Sequence, residues 1–206
     1  LGLVGSEMCI RDRGYAVQGR FGEVTEEEIL WDLACRIEGR MIAAGMETIL
    51  SRPRSANPSN QDRANIANAF GADLMISLRA DIYPNELANG CASFYFGSLQ
   101  GYSSMVGEKL SGFIQREICA RTPLQNCYNH GQTWDLLRLT SMPAVQVVPG
   151  YLTNPGDVEV LTDPAIRDTI ADAIVVSVKR LYLLDKDHHR TGTFSVTEII
   201  RGELPT

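Results

Sequence analysis

Arg79 ends an apolar run, "DLMISLRADIY", where a buried strand meets solvent or a site. A guanidinium stays protonated, carries five N–H donors and offers no lone pair. At that position it suits a carboxylate or a phosphate. Glu26 opens a run of three glutamates; these either serve a site or simply favour the positive end of a helix. His130 lies in "NHGQTW", where a lone histidine in a glycine-containing loop reads first as a surface residue. His188 and His189 read as solvated. Arg138 reads as a partner for an acidic neighbour, and Asn154, before Pro155, as turn chemistry.

The elements that position these residues follow from periodicity. Glu26 to Ala44 is a helix with Ile29, Leu33, Ile37 and Met41 on one stripe, Thr25 and Glu28 as a capping box, and Gly45 as its stop. "METILSR" is a short strand. Ser59 or Asn60 starts a helix to about Phe70, with Ile66, Ala67 and Phe70 inward and Gly71 as cap. "CASFYFG" is a strand. Ser103 to Ala120 is a helix carrying Val106, Leu110, Phe113 or Ile114, and Ile118. Ala144 to Val148 is a fully buried strand, and Pro164 sits in the first turn of a last long helix. Strands alternate with helices, so the class is α/β, with helices covering a mostly buried sheet.

The 206 residues suffice for one domain with a sizeable core. A net charge of -6 argues against non-specific nucleic-acid binding, which needs a basic surface. No run of about 18 apolar residues exists, so no membrane span is expected. Cysteines stand at 9, 35, 91, 119 and 127, none in a CxxC pattern. Cys35 and Cys91 read as buried free thiols, and the scattered set fits a reducing cytoplasm better than a disulfide framework. Leu1 to Arg13, "LGLVGSEMCIRDR", resembles a translated sequencing-adapter peptide and is set aside as non-native. On that reading the true N-terminus is missing, and export stays open. The expected division is 1–13 adapter-like, 14–184 a folded domain, and 185–206 a polar C-terminal tail.

The order "EEEILWDLACRI", "GMETILSR", "DRANIANAFGADLMISL", "ANGCASFYF", "LLRLTSMPAVQV" and "GYLTNPGDVEVL" resembles the zinc-dependent N-acetylmuramoyl-L-alanine amidases of the type 3 fold. "ILWDLA", "FIQRE", "HGQTWDLLRLT" and "VKRLYLL" resemble the CwlM-type branch most closely. The resemblance implies a mixed sheet flanked by helices, and hydrolysis of the amide between muramic acid and L-alanine in peptidoglycan. It also implies one zinc held by His, Glu and His, with a further Glu as base. Three ligands leave an open position for water, whose pKa zinc lowers to about 7.

Carried over position by position, the resemblance puts Glu26 at the glutamate ligand, Arg79 at the second histidine ligand and Val148 at the general base. The segment of the first histidine ligand is absent, so an N-terminal strand of the sheet is expected to be missing and a strand edge exposed. A +1 charge about 5 Å from a +2 ion repels it by roughly 6–7 kcal/mol at an effective dielectric of about 20. The expectation is therefore a catalytically degenerate domain, with no catalytic residue, no metal and no cofactor. It acts as a regulator or binding module of cell-wall synthesis. Arg79 either closes a salt bridge with Glu26 or binds an anion; Glu26, His130 and Arg138 are the other possible ligand-binding residues. Expected partners are a peptidoglycan or precursor fragment and proteins of cell-wall synthesis. The alternative is an active zinc amidase drawing ligands from elsewhere, such as His130.

Overall fold

The computed structural model describes residues 3–6, 15–20, 22–52, 58–99 and 101–188. Its strands are β1 (Leu3–Ser6), β2 (Ala16–Gly19), β3 (Gly22–Thr25), β4 (Ile49–Leu50), β5 (Met75–Leu78), β6 (Cys91–Phe96), β7 (Asn126–Gln132) and β8 (Ala144–Val148). Its helices are α1 (Glu26–Ala43), α2 (Asn60–Phe70), α3 (Met105–Arg121), α4 (Asp135–Leu139), α5 (Pro155–Thr162) and α6 (Pro164–His188). Six strands form one sheet in the order β4-β1-β5-β8-β6-β7. All neighbours are parallel except β6 and β8, which run antiparallel. The sheet is mixed, as expected. β2 and β3 form a separate antiparallel pair that leads directly into α1.

Local chemistry sets the ends of the helices. The Glu28 N–H donates to Thr25 Oγ1 at 3.2 Å, and the Thr25 N–H donates to Glu28 Oε2 at 2.9 Å, so the capping box closes at the start of α1. Ser59 and Asp62 repeat the device at α2. Gly71, at φ 67, ends that helix in a left-handed conformation that needs no Cβ.

The sheet alternates its side chains between two cores. Ile76, Leu78, Val145 and Val147 point to one face, where α1, α3 and α6 bring Leu33, Ile37, Leu110, Ile114, Ile174 and Val178. Met75 and Ala144 point to the other, where they meet Ala64 and Ala67 of α2 and Leu136 and Leu137 of α4. α1 and α6 are also laced by Arg36–Asp168 at 2.6 Å, Arg40–Asp168 at 2.7 Å and Arg167–Asp32 at 2.6 Å.

Several expectations are corrected. The sheet does not lack an N-terminal strand: Leu3–Ser6, set aside as non-native, pairs with both β4 and β5 and fills an interior place. Phe70 and Val106 are exposed, because α2 turns the small residues Ala64 and Ala67 inward and Val106 stands at the solvent-facing start of α3. Cys35 is exposed on α1 rather than buried. The last helix continues to His188, past the expected start of the tail at 185. His189 and the rest of that tail, with Cys9, lie outside the described residues.

Candidate functional site

Glu26 is the first residue of α1, fixed there by its N–H donating to Tyr15 O at 2.9 Å. Its side chain is 3 % exposed. The carboxylate accepts from the Ala80 N–H, while Oε1 is buried with no hydrogen-bond partner. Burial pushes the carboxyl up to about 7, against the downward pull of Arg79, the Ala80 N–H and Arg52. Glu26 therefore sits against the C-terminal end of β5, in the electrostatic reach of Arg79. The expected salt bridge does not close: Glu26 Oε1 and Arg79 Nε are both buried without partners. Desolvation outweighs the attraction, because a cation that does not reach the carboxylate cannot replace its lost water.

Arg79 follows β5 directly, with its N–H donating to Val147 O at 3.0 Å. Leu78 pairs with Val147, so Arg79 stands beside Val148 at the neighbouring strand end. Val148 is 3 % exposed. The pleat puts Ser77 and Arg79 on the same face as Gln146 and Val148. Arg79 faces a cleft of about 420 Å³, lined also by Asn60, Thr133, Trp134, Asp135 and Gln146. Gln146 is 2 % exposed, and its Nε2 has no hydrogen-bond partner.

The remaining candidates fall around this cleft or away from it. His130 is on the edge strand β7 rather than in a turn, and is exposed as expected. Its Nε2 lies 2.7 Å from Cys127 O, and its ring packs 5.8 Å from that of Phe94. Phe94 in turn packs on Trp134 at 4.6 Å, so His130 reaches the cleft only through two aromatic rings. Arg138 does not line the cleft; it pairs with Asp135 at 2.8 Å. Asn154 caps α5, accepting from the Asp157 N–H at 3.0 Å.

The sequence did not mark Gln146, Thr133, Trp134 or Asp135 as site residues, and marked Asn60 only as a helix start. The signal for Gln146 was in the sequence: "AVQVV" places an amide at the centre of a strand buried throughout. The signal for the others was not, because α2, α4 and β8 bring them together only in three dimensions.

The resemblance implies a zinc ion at this place, and the described residues do not fit one. Among them no group of three or more His, Cys, Asp or Glu side chains is arranged to hold a metal. Glu26 supplies a single carboxylate, Arg79 has no lone pair, and Val148 cannot take a proton. What the site offers instead is a set of N–H donors beside one buried acid.

Comparison with known proteins places the chain. Residues 11–180 match the N-acetylmuramoyl-L-alanine amidase family, and the chain belongs to that family. It is 54% identical over 193 residues to the N-acetylmuramoyl-L-alanine amidase CwlM of Mycobacterium tuberculosis, covering 94% of this chain and 48% of that protein. It spans about half, or less, of the length of such curated relatives. Among solved structures, N-acetylmuramoyl-L-alanine amidase AmiC2 of Nostoc punctiforme has a TM-score of 0.75 at 22% identity, covering 89% of this chain and 97% of that one. The CwlD amidase of Clostridioides difficile, solved in complex with the GerS lipoprotein, has a TM-score of 0.70 at 17% identity, with 89% and 98% covered. These structures share the fold. β1 lies before the family-matched residues. No helix among the described residues is long and apolar enough to cross a membrane.

Proposed function

We propose that this amidase-family domain of peptidoglycan metabolism has given up zinc-dependent hydrolysis and serves as a regulatory or binding module of cell-wall synthesis. One observation carries the reading. Arg79 occupies the end of β5 beside buried Glu26 and Val148, which supports reading a permanent cation and an alkyl group at the positions the resemblance gives to a lone-pair ligand and a base. The free thiols Cys91 and Cys119 support a cytoplasmic location, where thiols stay reduced. Protein partners are in keeping with the family, since CwlD binds GerS.

The test is hydrolysis itself. Purified peptidoglycan is incubated with the whole protein and added zinc, and released stem peptides are counted by mass spectrometry. The reading expects no release above buffer. Sustained release that a chelator abolishes would overturn it in favour of a working amidase with ligands outside the described residues.

A further inference from the structure

We propose that the cleft beside Arg79 binds the free carboxylate of a short peptide. The inference rests on the reading that the site no longer holds a metal, since a divalent cation would compete with the guanidinium for the same space and charge.

Two donors carry it. Arg79 Nε and Gln146 Nε2 are both buried and both lack hydrogen-bond partners. Both residues line the one cleft, from neighbouring parallel strands and the same face of the sheet. Ser77 pairs with Gln146, so Arg79 stands two residues further along the neighbouring strand, roughly 8 Å from Gln146 at the Cα positions. An extended arginine side chain spans such a gap, and a carboxylate accepts from several donors at once. A buried amide donor at the centre of an apolar strand is otherwise an unexplained loss. Asn60, the first residue of the eleven-residue helix α2, adds the positive end of a helix dipole to the lining of the cleft.

Asp135 and Trp134 select the class of anion. Asp135 lines the cleft, and its pairing with Arg138 at 2.8 Å is exposed to solvent. A carboxylate there disfavours a dianion such as phosphate and can accept an N–H from a ligand. Trp134 presents an aromatic surface beside it. A cation, an amide, a carboxylate and an aromatic surface lining one cleft match a peptide C-terminus: carboxylate on Arg79 and Gln146, backbone N–H toward Asp135. About 420 Å³ accommodates a short peptide and little more.

The test titrates the chelator-treated whole protein with N-acetyl-alanyl-alanine, with its C-terminal amide and with inorganic phosphate, following the Trp134 indole N–H by NMR. The acid is expected to shift that signal and to bind at least tenfold more tightly than the amide. Arg79→Gln and Gln146→Leu are each expected to weaken the acid at least fivefold. Arg79→Lys is expected to lose part of the affinity, because it keeps the charge but not the fork. A thermal melt of each variant shows that it folds, and Arg79→Lys alone decides the question if Gln146→Leu does not. Equal binding of acid and amide, binding of phosphate alone, no binding, or full affinity in Arg79→Gln would each overturn the subsite. Tightly bound zinc before chelation would instead overturn the underlying reading.

Discussion

Glu26 and Arg79 share a site without forming an ion pair: each keeps a buried polar atom, Oε1 and Nε, with no hydrogen-bond partner. The buried Glu26 carboxylate has lost water without gaining the guanidinium, which is a poor arrangement for stability. α1 delivers a glutamate to the end of β5, because its capping box and apolar stripe set the helix independently of what Glu26 contacts.

The raised carboxyl of Glu26 makes stability depend on pH in a definite direction. An unfolded glutamate ionises near 4.5, and the folded one near 7. Between those values the folded chain binds more protons, so this contribution is complete below about 4.5 and is lost as pH rises through 7. The full difference is about 3 kcal/mol. Urea unfolding at pH 5 and pH 8 is expected to show a larger drop in the wild type than in Glu26→Gln. Equal drops in the two proteins would mean that Glu26 is hydrated and ordinary.

Arg79→His exchanges a fixed cation for a lone-pair donor beside the same carboxylate. Roughly 6–7 kcal/mol of repulsion toward a divalent ion is removed at an effective dielectric of about 20. Zinc affinity, measured by competition with a coloured chelator, is expected to rise at least tenfold over wild type. An unchanged affinity would show that Glu26 and position 79 do not face a common point.

Asp157 holds the loops around the site together. Its Oδ2 accepts from the Gly90 N–H at 2.8 Å in a buried setting and from the Tyr151 N–H at 2.9 Å in a partly buried one. Asp157→Ala leaves two backbone donors unpaired and is expected to destabilise the fold by about 2–4 kcal/mol in urea unfolding. Gly90 sits at φ 104, and a Cβ there would come 2.5 Å from the Gln125 carbonyl oxygen. Gly90→Ala is expected to cost about 1–3 kcal/mol by the same measurement. Wild-type stability in either variant would place these loops differently.

Much of this fold was legible because local signals agreed with tertiary need. Thr25 and Glu28, Ser59, Gly71 and the run Ala144 to Val148 each announce their element by side-chain chemistry or unbroken apolarity. β7 was not legible. "NCYNHGQ" has no apolar alternation, because it is an edge strand, and its start is irregular: Tyr128 takes φ 62 and its N–H donates to Asn126 Oδ1 at 2.9 Å. The pairing of β6 with β7 shifts register there, which is why His130 reads as a turn residue. Arg79, Glu26 and Val148 could be placed by their motifs. Gln146 and the cleft could not, since a polar residue within an apolar strand says that a partner is needed but not which one.

Loss of the metal is the claim on which every other statement about the site depends, and zinc stoichiometry tests it. The whole protein, purified without chelator, is equilibrated with a slight excess of zinc, desalted and assayed for metal per chain by mass spectrometry. The account predicts well under one-tenth of an ion per chain. One zinc per chain that survives desalting would contradict it.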